Sequence, residues 1–152
     1  MKKLSLILLF LLCPILLLSQ TTQKPTVVVV PFDTKDISQD DVDIINELFI
    51  SEYANTGKAT VVDRNSFDKI QKELEFQSTD WSDSNKVAEL GRALNANHVV
   101  TGQFLKFRDE IIFNVKVLDV NTVAILAAET VRIKDIAELF DLLPQTCKSL
   151  AT

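Results

Sequence analysis

Glycine is scarce in this chain: Gly57, Gly91 and Gly102 are the only three in 152 residues, and none belongs to a glycine-rich phosphate loop. Histidine is scarcer still. His98 stands alone, with neither a serine nor a cysteine beside it, so no nucleophile elbow can be read. Cys13 and Cys147 are the only cysteines, far apart and outside any cluster with the spacing of a metal site. Basic residues are outnumbered, 16 against 21 acidic, for a formal charge of −5. An acidic chain is a poor match for nucleic acid or for an anionic lipid surface. What remains is a frame built for binding rather than for chemistry, with no cofactor and no metal expected.

The first feature present is a leader. Lys2 and Lys3 precede an apolar run from Leu4 to Leu18 that is broken only by Ser5, Cys13 and Pro14. That run is shorter than the roughly 20 residues a helix needs to cross a bilayer, and no stop-transfer segment follows it. The pattern predicts a signal peptide over residues 1–19 with cleavage between Ser19 and Gln20, and export to the periplasm with no remaining transmembrane span. Leu12 before Cys13, and apolar Pro14 to Leu18 after it, argue against a lipid anchor at that cysteine. Loss of Lys2 and Lys3 takes the formal charge from −5 to −7. Cys147 is then the last thiol, so no internal disulfide forms, and it is either buried or free to bridge to another chain.

Residues 20–26 read as a flexible lead-in and 27–150 as one domain. Val27 to Val30 is a fully apolar run, suited to a strand covered on both faces, and Pro31 closes it. Ser38 is placed to cap a helix with Asp40, Asp41 and Asp43 in its first turn and Val42, Ile45, Leu48, Phe49 and Tyr53 along its apolar stripe. Gly57 supplies its C′ position. Thr60 to Asp63 is the second strand, and Asp63 caps a helix whose stripe is Phe67, Ile70 and Leu74. After the polar stretch Gln77 to Asp83 comes a third helix, on which Gly91 allows close approach to the sheet. The period then changes to two over His98–Phe107, Ile111–Asp119 and Val123–Val131, an antiparallel meander. In its middle strand Ile111, Phe113, Val115 and Val117 share a core face, while Ile112, Asn114, Lys116 and Leu118 share a partly wet one. A last helix over Asp135–Leu150 carries Ile136, Leu139, Phe140, Leu143 and Cys147, with Pro144 placed to kink or split it. The expected fold is α/β (α+β): a single mixed sheet of about five strands, in the order β-α-β-α-α-β-β-β-α, with helices packed on it.

The blocks VVVVPF at Val27, VVDR at Val61 with Phe67, Ile70 and Glu73 behind it, and AELGRALNANHVVTGQ at Ala88 followed by a hairpin resemble the CsgG and LpoB superfamily of bacterial envelope proteins. The resemblance covers nearly all of residues 20–152, and similar wording occurs in the amino-terminal domain of TolB. It implies no active site, and protein–protein work in the periplasm or peripheral to the outer membrane. It points to a regulator of a peptidoglycan synthase, as in LpoB-like penicillin-binding-protein activators, or to an accessory of a curli-type outer-membrane assembly or secretion complex. No connection is long enough for the paired strands of about 9–11 residues that a membrane barrel would need.

Several residues invite a sharper reading. Asp36, Asp40, Asp41 and Asp43 lack the glycine and closing glutamate of a calcium loop and fit helix-start electrostatics instead. His98 could serve a periplasmic hydrolase only with a distant carboxylate. Trp81 lies in a polar linker where no core period demands it, which makes it a candidate partner contact. Phe104 and Phe107 lie on opposite faces of their strand, so at most one can face a partner while the other joins the core. The leading expectation is a non-enzymatic envelope protein that binds another protein, with a homo-oligomeric ring as a further alternative.

Overall fold

The computed structural model describes residues 23–151. Cys13, the apolar leader and the cleavage point at Ser19 and Gln20 lie outside the described residues. The order is β1 (Thr26–Val29), β2 (Asp33–Thr34), α1 (Gln39–Asn55), β3 (Thr60–Val61), α2 (Arg64–Glu73), a 3-10 helix (Ser78–Ser82), α3 (Ser84–Ala93), β4 (His98–Phe107), β5 (Glu110–Asp119), β6 (Ile125–Ile133) and α4 (Glu138–Leu150). One mixed, open sheet runs β3-β1-β4-β5-β6, with β2 paired to the far part of β4. It has one strand more than expected. Val30 still donates to Val100 O at 3.0 Å, Pro31 interrupts the ladder, and Asp33–Thr34 rejoins it parallel to Gln103–Phe104. Among the described residues no helix is long and apolar enough to cross a membrane.

The valine run explains the layering. Val27 and Val29 face α1 and α4, while Val28 and Val30 face α2, the 3-10 helix and α3, and all four are buried. The α1/α4 side holds an aromatic centre. Phe32 meets Phe49 edge-on at 5.2 Å, and Phe104 stacks on Phe113 at 4.4 Å. Each such ring contributes roughly 1.5–3 kcal/mol by leaving water. On the other side Phe67, Trp81, Val87, Leu90, Val99 and Leu118 form a second, smaller core.

The local signals act where expected in most places. Gly57 takes φ +67° just past α1 and donates to Ala54 O, which ends the helix. Asp63 accepts from Ser66 N at 3.1 Å and Asp83 from Asn85 N at 2.9 Å, capping α2 and α3. Ser38 occupies the cap position of α1 but its side chain makes no capping bond. Leu48, Leu74 and Phe140 are exposed rather than on their helices' buried stripes. In α1 the place expected for Leu48 goes to Asn46, whose amide donates to Val30 O at 3.0 Å. In α4 the stripe is Leu139, Leu143, Thr146, Cys147 and Leu150, which turns Phe140 off the core side. Pro144 does not split α4, and the carbonyl it leaves without a helical donor belongs to the exposed Phe140. β6 starts at Ile125 rather than Val123. Asp119 Oδ1 holds Asn121 N at 2.9 Å and Thr122 N at 2.8 Å, and Val123 takes φ +59° to complete the turn.

Gly91 is where α3 meets the sheet: a Cβ there would lie 2.5 Å from Val120 Cγ1 and 2.6 Å from Val99 Cγ2. Those are short, stiff, β-branched side chains that cannot swing aside. Gly91→Ala should therefore destabilise the protein by about 1–2 kcal/mol in urea unfolding, the clash outweighing alanine's better helix propensity of about 1 kcal/mol. Equal or greater stability would contradict this packing.

Candidate binding face

Where β4, β5 and β6 run side by side, α1 and α4 cover one face of the ladder throughout, while α2 and α3 cover the other only at its start. Register reads this out row by row. Val99 opposite Leu118 is buried under α3. The next row is Thr101, Lys116 and Ala128, followed by Gln103, Asn114 and Thr130, then Leu105, Ile112 and Arg132, and finally Phe107 opposite Glu110 at the hairpin end. Among the described residues no helix lies over the last three rows. Polar side chains form the inner part of this face and apolar ones its tip, with Leu105 and Ile112 half-buried and Phe107 58% exposed.

At the helix-bounded end a cavity of about 300 Å³ lies between the strands and the Trp81–Ser84 corner. Its hydrogen bonds are local. Gln103 Nε2 donates to Asp33 Oδ2 at 3.1 Å, Thr130 Oγ1 to Asn114 Oδ1 at 2.8 Å, and Lys116 Nζ to Ser84 Oγ at 3.4 Å. Lys116 and Arg132 have no carboxylate partner within salt-bridge distance among the described residues. The nearby acids are turned elsewhere: Asp33 is bonded by Gln103, and Glu129 accepts from Ser149 on the α4 side. Arg108 lies over the Phe107 ring at 5.3 Å, adding a third cation at the tip. The face thus has an apolar tip and mixed charge, with Lys116, Arg132 and Arg108 set against Glu110 and the Gln103-bonded Asp33, an arrangement that can bind another surface.

The structure sorts the three partner candidates. Trp81 is 9% exposed and sits between Phe67, at 6.0 Å, and Phe76, at 4.4 Å; it is a core residue, which corrects the reading of it as a contact. Its linker is the 3-10 helix, whose Asp80 receives Gln77 N at 2.8 Å and the Lys86 ammonium, and that turn folds the indole inward. Phe104 is fully buried and only Phe107 faces out, as strand alternation requires. His98 is elsewhere, at a separate cavity with Pro25, Tyr53, Lys58 and Leu126. Its cross-strand partner is Asp119, whose carboxylate is held by the turn amides of Asn121 and Thr122. Cys147 is buried against Phe49 O at 3.8 Å, and burial, with Glu52 adding to it, pushes its thiol up to about 12. Asp36, Asp40, Asp41 and Asp43 lie exposed around the start of α1, and among the described residues no group of three or more metal-binding side chains is assembled. Sequence reasoning missed Lys116, Arg132, Leu105 and Ile112 as a surface, although the two-residue period already placed Ile112 and Lys116 on one side.

This fold is shared with envelope proteins of known structure. It matches the LpoB C-terminal domain from Escherichia coli at TM-score 0.61 and 14% identity, over 76% of this chain and 87% of that one. Lipoprotein GNA1162 from Neisseria meningitidis matches at 0.63 and 10% identity, over 83% and 99%. The PelC dodecamer from Paraburkholderia phytofirmans matches at 0.59 and 14%, over 86% and 89%. The chain has the LpoB-like α+β fold. Within that class it belongs to the FlgO protein family, whose model matches residues 16–137. No curated protein sequence matches it.

Two outcomes follow from the site's geometry. Phe104→Ala should cost about 3–5 kcal/mol in denaturant unfolding, whereas Phe107→Ala should stay within about 0.5 kcal/mol; similar losses for both would refute the assignment of faces. The Asp80 carboxyl is held below its ordinary range, chiefly by the Lys86 hydrogen bond and next by Gln77 N. A carboxyl lowered in the fold stabilises above its unfolded value of about 3.9 and loses that contribution as pH falls through the folded value. Unfolding midpoints should drop below about pH 4, and Asp80→Asn should flatten that acid limb.

Proposed function

We propose that this chain is an exported, non-catalytic envelope protein that binds another protein through the uncovered face of β4, β5 and β6. The observation that carries the reading is the tip formed by Leu105, Phe107 and Ile112, with Arg132 beside Ile112 and Lys116 two rows inward, neither cation having a carboxylate partner among the described residues. Apolar anchors ringed by charge are the anatomy of a protein contact rather than of a catalytic cleft. The leader in the sequence and the LpoB-like fold support the periplasm, at or near the outer membrane, as its place.

Within that reading the partner class favoured by the resemblance to LpoB is a peptidoglycan synthase, which this protein would regulate. Service to an outer-membrane assembly or secretion complex, as in CsgG-like proteins, is the alternative. A hydrolase built on His98 has less support, since Asp119 beside it is already committed to turn amides. Affinity capture from solubilised envelopes tests the proposal. The wild-type domain should retain a defined envelope protein across several salt concentrations, and Phe107→Ala/Arg132→Glu should retain at least about tenfold less. Recovery of no partner would sink the binding reading, and equal recovery by the double variant would sink this face.

A further inference from the structure

Two surfaces of this molecule are complementary to each other and cannot meet within one copy. α1 carries five carboxylates, Asp40, Asp41, Asp43, Glu47 and Glu52, and no lysine or arginine. Asp43 accepts from Gln39 and Glu47 pairs with Arg64, whereas Asp40 and Asp41 have no partner among the described residues. On the same solvent side Ile44 is 54% and Leu48 38% exposed. Asp41, Ile44 and Leu48 stand at i, i+3 and i+7, the spacing of a helix laid into a groove. Nothing in the hydrophobic core calls for those two apolar residues, because Val42, Ile45, Asn46, Phe49 and Tyr53 already form the buried stripe of this helix.

The sheet face described above has an excess of positive charge, Lys116, Arg132 and Arg108 against Glu110 and the Gln103-bonded Asp33, and the matching apolar content. We infer that it receives the outer face of α1 from a second copy of this chain, with Ile44 and Leu48 against Leu105, Phe107 and Ile112, and Asp40 and Asp41 toward Arg132 and Lys116. The inference rests on the reading of the sheet face as a protein contact and names its occupant. α1 packs on one side of the sheet and the receiving face lies on the other. The contact is therefore head-to-tail, and each copy that accepts a helix still offers its own. Such a contact propagates into a closed ring or a filament rather than stopping at a twofold dimer.

Charge reversal tests this on purified protein lacking residues 1–19, which contains every element of the fold, by sedimentation velocity. The wild type should form species larger than monomer at about 0.05 M salt and shift toward monomer at about 0.5 M, as screened ion pairs require. Lys116→Glu/Arg132→Glu and Asp40→Lys/Asp41→Lys, each checked for native circular dichroism, should associate at least about tenfold more weakly alone. An equimolar mixture should recover association, because the acidic sheet of the first meets the basic helix of the second. Wild type that stays monomeric at about 1 mM and low salt overturns the inference, as does a folded variant that associates as tightly as wild type, or a mixture that fails to recover. A monomeric wild type that still captures a different envelope protein through Phe107 and Arg132 removes the second copy as occupant and leaves the proposed function standing.

Discussion

The ten-residue register between β4 and β5 decides almost everything else in this molecule. Side chains alternate with a period of two, so one pairing sends Val100, Phe104, Phe113, Val115 and Val117 beneath α1 and α4 and sends Gln103, Leu105, Ile112, Asn114 and Lys116 outward. A slip of a single residue would exchange the two sets. Gly102 helps to hold the pairing, since a Cβ there would come within 2.8 Å of Phe32 and 2.9 Å of Phe113. The aromatic centre can close only because that position has no side chain. Phe32 lies in the short break between β1 and β2, and the same closure draws β2 onto the far part of β4.

The two ends of the ladder therefore differ for a simple reason of length. α3 has ten residues, and at a rise of about 1.5 Å each it is far shorter than a ten-residue strand rising about 3.3 Å per residue. It covers the Val99 and Leu118 end and leaves the hairpin end bare. On the opposite face α1 and α4, with 17 and 13 residues, are longer than α3 and pack against one another, so that together they cover more of the sheet. The uncovered rows are thus a consequence of unequal helix lengths on a common sheet, and their side chains are free of any role in the core. This frees their chemistry to be chosen for recognition, while the rigid ladder holds them in fixed positions.

The same physics explains what could be read in advance. The valine run, the period-two meander and the caps at Asp63, Asp83 and Gly57 are local signals with one structural solution each, and they predicted the mixed sheet and its helices. A two-residue strand such as Asp33–Thr34 has no period to detect; only its tertiary partner makes it a strand. Leu48 and Phe140 fit an apolar stripe by spacing, but α1 and α4 also pack on one another, and that contact sets their rotation. Trp81 misled because its segment is polar in sequence, while Asp80 folds it into a tight 3-10 turn that turns the indole inward. Phe107 was legible as one half of an alternating pair, although alternation alone could not say which half faced water.

An exposed apolar tip on a β-sheet protein is a hazard, because uncovered sheet surface invites indiscriminate association. Here the tip is not left bare: Arg108 lies over Phe107, Glu110 stands opposite it, and Arg132 flanks Ile112. Like-charged surfaces repel and acidic ones are admitted, so the cations convert a sticky patch into one that selects by charge. The outer strand β6 has the same guard, with Glu129, Thr130 and Arg132 breaking its apolar content along an edge that is otherwise free to pair. Burial of Cys147 beneath α1 keeps that thiol from reacting with a second chain. Together these features keep the core closed and restrict association to surfaces whose charge and shape both fit.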